Sequence, residues 1–179
     1  AALNPRTSGS RPVTLAERRC RETRRARTGF VGLIDDVGRG AVAIDTAILI
    51  YFIEEEPRFL SHILPLFKEA DAGGRVLVTS ELSLLEVLVV PYRVGNRQLA
   101  ERYEALLTRS RGIRMVPLTR DQLRAAAQLR ATSGVKTPDA LQLVAAIGAG
   151  CQTFVTNDRR LPQVPGLRVV QASSYGGPE

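Results

Sequence analysis

The sequence predicts an α/β fold in which short parallel strands are joined by crossover helices, and three observations predict it. From Ala41 onward, short β-rich runs alternate with longer stretches of helical period. Hydroxyl residues, proline and glycine stand where those helices should begin and end. Acidic residues directly follow the first and fourth strand runs, at the carboxyl ends where open parallel sheets bind their ligands.

The elements follow in order. The first strand, Ala41–Ile44, leads into an apolar helix over Ala47–Ile53 and a longer one over Pro57–Ala72, closed by Gly73-Gly74. The second strand is Arg75–Val78; Ser80 supplies a capping oxygen for a helix over Glu81–Val90. That helix is apolar on almost every side, so more than one neighbour must bury it, inside the fold or across a dimer. A helix over Asn96–Ser110 precedes the third strand, Ile113–Pro117. Thr119 caps Arg120–Ser133, which Gly134 closes, and Thr137-Pro138 reads as a cap followed by proline at the first position of a helix reaching Gly148. Thr153–Val155 and Leu167–Val170 complete five strands.

A chain of 179 residues has room for one core and little more. Its longest apolar run, Ala47 to Ile53, falls far short of the roughly 20 residues that span a bilayer. No secretory segment opens the sequence, and Cys20 and Cys151 form neither a disulfide framework nor a zinc spacing, so a reducing, cytoplasmic setting without a membrane is expected. His62 is the only histidine and lies in an apolar stretch, which leaves histidine-based triads without support. The net charge of +7 is concentrated at the front: residues 1–40 hold nine Arg against four acids. This Arg-rich stretch, with a charged helix over Leu15–Arg27, reads as a flexible extension with an affinity for polyanions.

Four carboxylates carry the chemistry. Asp45 follows the first strand and Asp158 the fourth, while Glu86 and Asp139 sit in helices that are otherwise apolar around them. Each has a local role available to it, as a turn residue, a helix-dipole partner or half of an ion pair. An unpaired carboxylate taken out of water costs several kcal/mol, however, and four sharing a cleft would repel. A divalent cation relieves both penalties, and oxygen donors without His or Cys point to Mg²⁺ or Mn²⁺.

In order and placement, four segments resemble a PIN domain, most closely the VapC-type toxin ribonucleases of toxin–antitoxin systems. They are Ala43-Ile44-Asp45-Thr46-Ala47, Thr79 to Leu88 with Glu86, Thr137-Pro138-Asp139-Ala140-Leu141-Gln142-Leu143, and Phe154-Val155-Thr156-Asn157-Asp158. The resemblance covers about residues 41–171, leaving the extension 1–40 and a tail 172–179. It implies an α/β/α sandwich and a Mg²⁺- or Mn²⁺-dependent endoribonuclease. By position, Asp45, Glu86, Asp139 and Asp158 become the metal-binding and catalytic acids, with Thr156 as a catalytic helper and Asn157 as a second polar neighbour. An RNA substrate, a cognate antitoxin whose tail enters the acidic cleft, and a homodimer are implied with them.

Ala47 departs from the Ser or Asn often found there, and the long extension is foreign to the family pattern. Glu81 and Glu86 lie five residues apart, about 140° round a helix, so only one faces the site. The resemblance selects Glu86, and the helix dipole accounts for Glu81. Two other classes compete: an Asp-based phosphoryl-transfer fold such as a receiver seeded by Asp35-Asp36, and a PIN-like RNA- or protein-binding module without catalysis.

Overall fold

The computed structural model describes residues 32–175. The Leu15–Arg27 helix, Cys20 and the end of the tail lie outside them. Five strands, β1 (Val42–Ile44), β2 (Leu77–Ser80), β3 (Ile113–Val116), β4 (Thr153–Thr156) and β5 (Arg168–Gln171), pair entirely in parallel in the order β3-β2-β1-β4-β5. After a short helix α1 (Leu33–Asp36), the connections run through α2 (Thr46–Ile53) and α3 (Pro57–Asp71), then α4 (Leu82–Arg93) and α5 (Arg97–Arg109), then α6 (Arg120–Ser133) and α7 (Thr137–Gly148). Strand order moves outward from β1 to β3 and then jumps back across β1 to β4. With right-handed crossovers, that reversal puts the last helix pair on the opposite face of the sheet from the first four.

Alternation along the strands builds a core on each face. Val42, Ile44 and Leu77 join Ile48, Ile63, Leu66 and Tyr103 on one side. Ala43, Val78 and Phe154 join Ala140, Leu143 and Ala146 on the other. The result is the expected α/β/α sandwich around a parallel sheet. Its strand order also separates it from a receiver, whose sheet runs 2-1-3-4-5. Gly112 is required at the turn into β3, because a Cβ there would stand 2.5 Å from the Ala70 backbone.

Several boundaries differ from the sequence reading. β2 begins two residues later than Arg75, whose guanidinium is buried and held by Glu69 and the Gly38 carbonyl. It ends instead on Thr79 and Ser80, two buried polar residues paired with Met115 and Val116. Thr119 caps α6 by accepting from the Gln122 N–H, and Gly134 ends it at a φ of 68°, as expected. Thr137 is no cap: it is already helical, and Lys136 holds the cap position without a side-chain bond. Ser80 does accept the Leu82 N–H at 3.2 Å, although Glu81 occupies the cap position.

Residues 32–40, grouped with the extension on composition, pack on the body. Leu33 and Val37 are buried, Thr153 donates to the Val37 carbonyl, and Asp36 is engaged by Arg168 and by the Tyr175 hydroxyl from beyond β5. The stretch just after residue 171 is likewise anchored, through buried Ala172.

Candidate active site

The reversal of strand order lies between β1 and β4, and the crevice outside the carboxyl ends of such strands is where open α/β sheets bind ligands. Asp45 is the first residue after β1; its backbone N–H donates to Val155 of β4 at 2.9 Å, which locks it at this point. Thr156 ends β4 and donates its hydroxyl to Asp45 Oδ2 at 2.6 Å, while accepting the Asp158 N–H at 3.0 Å. One threonine thus ties the two strand-end acids together.

Glu86 and Asp139 approach from the two faces. Glu86, on the second turn of α4, accepts from the Thr46 hydroxyl at 2.5 Å. Asp139 sits in the first turn of α7, where the helix N-terminus favours a negative charge. Burial pushes the Asp45 carboxyl above its ordinary range, against the Thr156 hydroxyl and the Thr46 backbone N–H; the charges of Glu86 and Asp139 push it further up. Burial also raises Asp139, with the charge of Asp158 adding to it.

Asp158 is different. Both of its oxygens are taken by the Arg160 guanidinium, at 2.9 and 2.8 Å, and its carboxyl falls to about 2. Asp45, Glu86 and Asp158 are each held by a partner, and among the described residues no three Asp, Glu, His or Cys side chains are gathered into a ready-made metal cage. Asp45 is within electrostatic reach of both Glu86 and Asp139, and Asp139 within reach of Asp158. The donor chemistry fits a hard divalent cation: oxygen ligands only, repelling their neighbours, two of them raised by burial.

Other candidates are placed elsewhere. Asn157 spends its side chain on the Tyr51 hydroxyl and the Ser173 N–H. Glu81 is exposed and accepts the Leu118 N–H. His62 lies half-buried along α3.

The sequence reading singled out four acids and missed the polar groups behind them. Thr46, Thr79, Ser83 and Gln142 are all buried and hydrogen-bonded to one another. Gln142 is the lone polar side chain in the run Ala140 to Ile147, and Ser83 interrupts an equally apolar stretch. The rule that singled out Glu86, that a polar residue in apolar surroundings needs a partner, applied to them as well.

Comparison with known proteins agrees with this fold. The PIN domain family model matches residues 42–167. The chain belongs to the PIN domain family. Among solved structures, a chain of the VapBC2 complex from Rickettsia felis, bound to a DNA fragment from their promoter, superposes with a TM-score of 0.58 at 18% identity, covering 73% of this chain and 98% of that one. A chain of a toxin–antitoxin complex from Klebsiella pneumoniae gives 0.50 at 19% identity, covering 73% and 97%. No curated protein matches the sequence. At these identities the structural likeness speaks for the fold: this PIN domain is built like chains of toxin–antitoxin complexes.

Proposed function

We propose that the protein is a divalent-metal-dependent endoribonuclease acting as the toxin of a toxin–antitoxin pair. The observation that carries this reading is Asp45: a carboxylate half-buried at the switch point of a parallel sheet, raised by burial and by the like charges of Glu86 and Asp139. Asp45, Glu86 and Asp139 are the residues that would hold Mg²⁺ or Mn²⁺, with Asp158 joining them as the fourth acid once released from Arg160. When bound, such an ion supplies Lewis-acid stabilisation of the charge developing on a phosphodiester and activates water for attack.

The chain's own groups do the rest. Thr156 fixes the orientation of Asp45, and Thr46 that of Glu86. Arg160, fully exposed at the rim, can trade the Asp158 carboxylate for an RNA phosphate, since a guanidinium pairs with either through the same fork. Arg159 and Lys136 add positive charge at the same edge, where phosphate contacts position a substrate without reading its bases.

A protein partner is part of the reading. The helix α4 leaves Leu85, Val89, Val90 and Tyr92 exposed, with Val94 just beyond it. A contiguous apolar face of this kind marks an interaction surface, and it accommodates the antitoxin or a second copy in a homodimer. Among the described residues no helix is long and apolar enough to cross a membrane.

Incubating purified protein with mixed RNA, with and without Mn²⁺, tests the activity. Metal-dependent cutting that Asp45→Asn lowers by at least about a hundredfold, as loss of one preorganised charged group does, supports the nuclease. RNA binding without cutting in the wild type would move the assignment to a binding module.

A further inference from the structure

The polar network behind Glu86 is centred on Gln142. This α7 side chain is buried, three residues after Asp139, and reaches three other elements. Nε2 donates to Thr46 Oγ1 at the start of α2 at 3.0 Å and to Ser83 Oγ in the first turn of α4 at 2.7 Å; Oε1 accepts the Ser80 N–H at the end of β2 at 3.2 Å. A backbone N–H only donates, so the Ser80 contact fixes which end of the amide is oxygen, and the NH₂ group faces the hydroxyls.

Counting protons then gives the network a direction. Thr46 has one hydroxyl proton, and the Glu86 carboxylate oxygen 2.5 Å away only accepts, so that proton goes to Glu86. Ser83, 2.8 Å from Thr46, therefore donates to Thr46, and the single Thr79 hydroxyl proton lies between Ser83 at 2.7 Å and Gln142 Oε1 at 3.4 Å. Both protons of the Gln142 amide are used. Thr46 accepts twice, which fills its lone pairs. With Glu86 ionised, turning the Thr46 proton toward Ser83 would leave a Thr46 lone pair facing a carboxylate oxygen, so the donors run toward Glu86.

We propose that Gln142 is a positioning residue for Glu86: by donating to Thr46 it holds that oxygen where the Thr46 proton meets Glu86, and so aims the Glu86 carboxylate at the crevice. This rests on the reading of Glu86 as a metal ligand and extends that ligand's support across the sheet to α7. It also gives Thr46 the role of a polar contact beside Asp45, where Ala47 has no hydroxyl to offer.

The test is calorimetric titration of Mn²⁺ alone into the full chain, with circular dichroism to verify folding. Gln142→Met removes the amide at similar volume, and Thr46→Val removes the last hydroxyl at similar shape. Each should weaken Mn²⁺ binding by about tenfold or more, the range for losing a hydrogen-bond partner of a metal ligand. The double variant should be little worse than the weaker single one, because both act through one bond. RNA cleavage should lose kcat with KM unchanged. A folded Gln142→Met with wild-type Mn²⁺ affinity and only a lowered Tm would overturn the proposal. If that variant does not fold, wild-type affinity in Thr46→Val overturns it alone. A wild-type chain that takes up no Mn²⁺ would overturn the metal reading and this inference with it; wild-type uptake with unaffected variants would overturn the inference only.

Discussion

Asp45 and Asp158 follow adjacent strands at one end of the same sheet, and a single threonine hydroxyl is bonded to both residues, yet their carboxyls are shifted in opposite directions. Asp45 is tucked behind β4 with two other acids nearby, so burial dominates and favours its proton. Asp158 stands at the rim with Arg160 wrapped around it, so pairing dominates and favours its charge. The difference teaches which acid anchors the site. A cation entering the crevice relieves a penalty at Asp45, whereas at Asp158 it must displace an existing partner.

The largest expected break in that comparison is at Asp45. Its folded carboxyl holds a proton to higher pH than the unfolded chain's ordinary 3.8, so the native state binds more protons in the window above 3.8. Stability therefore falls as pH rises above 3.8 through the raised folded value, and the penalty is complete only above that value. Asp45→Asn removes it: without metal, the variant should melt higher than wild type at pH 7, a difference that vanishes below pH 4. A scan of Tm against pH checks this.

Metal should act in the opposite sense. Millimolar Mn²⁺ should stabilise the wild-type folded state by mass action, by about 2.7 kcal/mol at a hundred times Kd, and so raise its Tm, while leaving Asp45→Asn nearly unmoved. Equal shifts in both proteins, measured by differential scanning fluorimetry, would place the binding elsewhere.

Arg160→Ala sharpens the other half. With the guanidinium gone, the Asp158 carboxyl should rise from about 2 toward its ordinary value, visible by NMR titration. The sign is that of a depressed acid: the pair stabilises the fold above about pH 4, and this is lost as pH falls toward 2, so the variant should show a flatter acid limb. The effect on stability at neutral pH should be small, as for other solvent-exposed pairs. The smallest effect is expected from Leu85→Lys on the exposed face of α4, which should leave Tm within about a degree or two of wild type, as surface substitutions do. It should nonetheless shift a dimer toward monomer in sedimentation.

Much of this was legible in the sequence because strand and helix periods, glycine stops and the Thr119 cap are local signals. The parallel order and the crevice followed from acids placed after strands. What stayed hidden depended on partners distant in sequence. Leu33 and Val37 are apolar residues in a charged, Arg-rich neighbourhood, and only their packing against the body shows that they belong to the core. β2 keeps Thr79 and Ser80 because Gln142, more than sixty positions away, bonds both. The bonding of Asp158 to Arg160 involves two residues two positions apart, but nothing in their spacing says that the arginine curls back instead of reaching outward. The α4 helix was read as needing burial by neighbours; one side has it, through Ser83 and Val87, and the other is left open.

The central claim is that the crevice beside Asp45 is a divalent-cation site. The most direct measurement is a crystal soaked in Mn²⁺ and examined by anomalous diffraction at the manganese edge. The account predicts a peak at the carboxyl end of β1, within coordination distance of the Asp45 carboxylate and bordered by Glu86 and Asp139. No peak there at full soak, or a peak only at a site remote from Asp45, would contradict it.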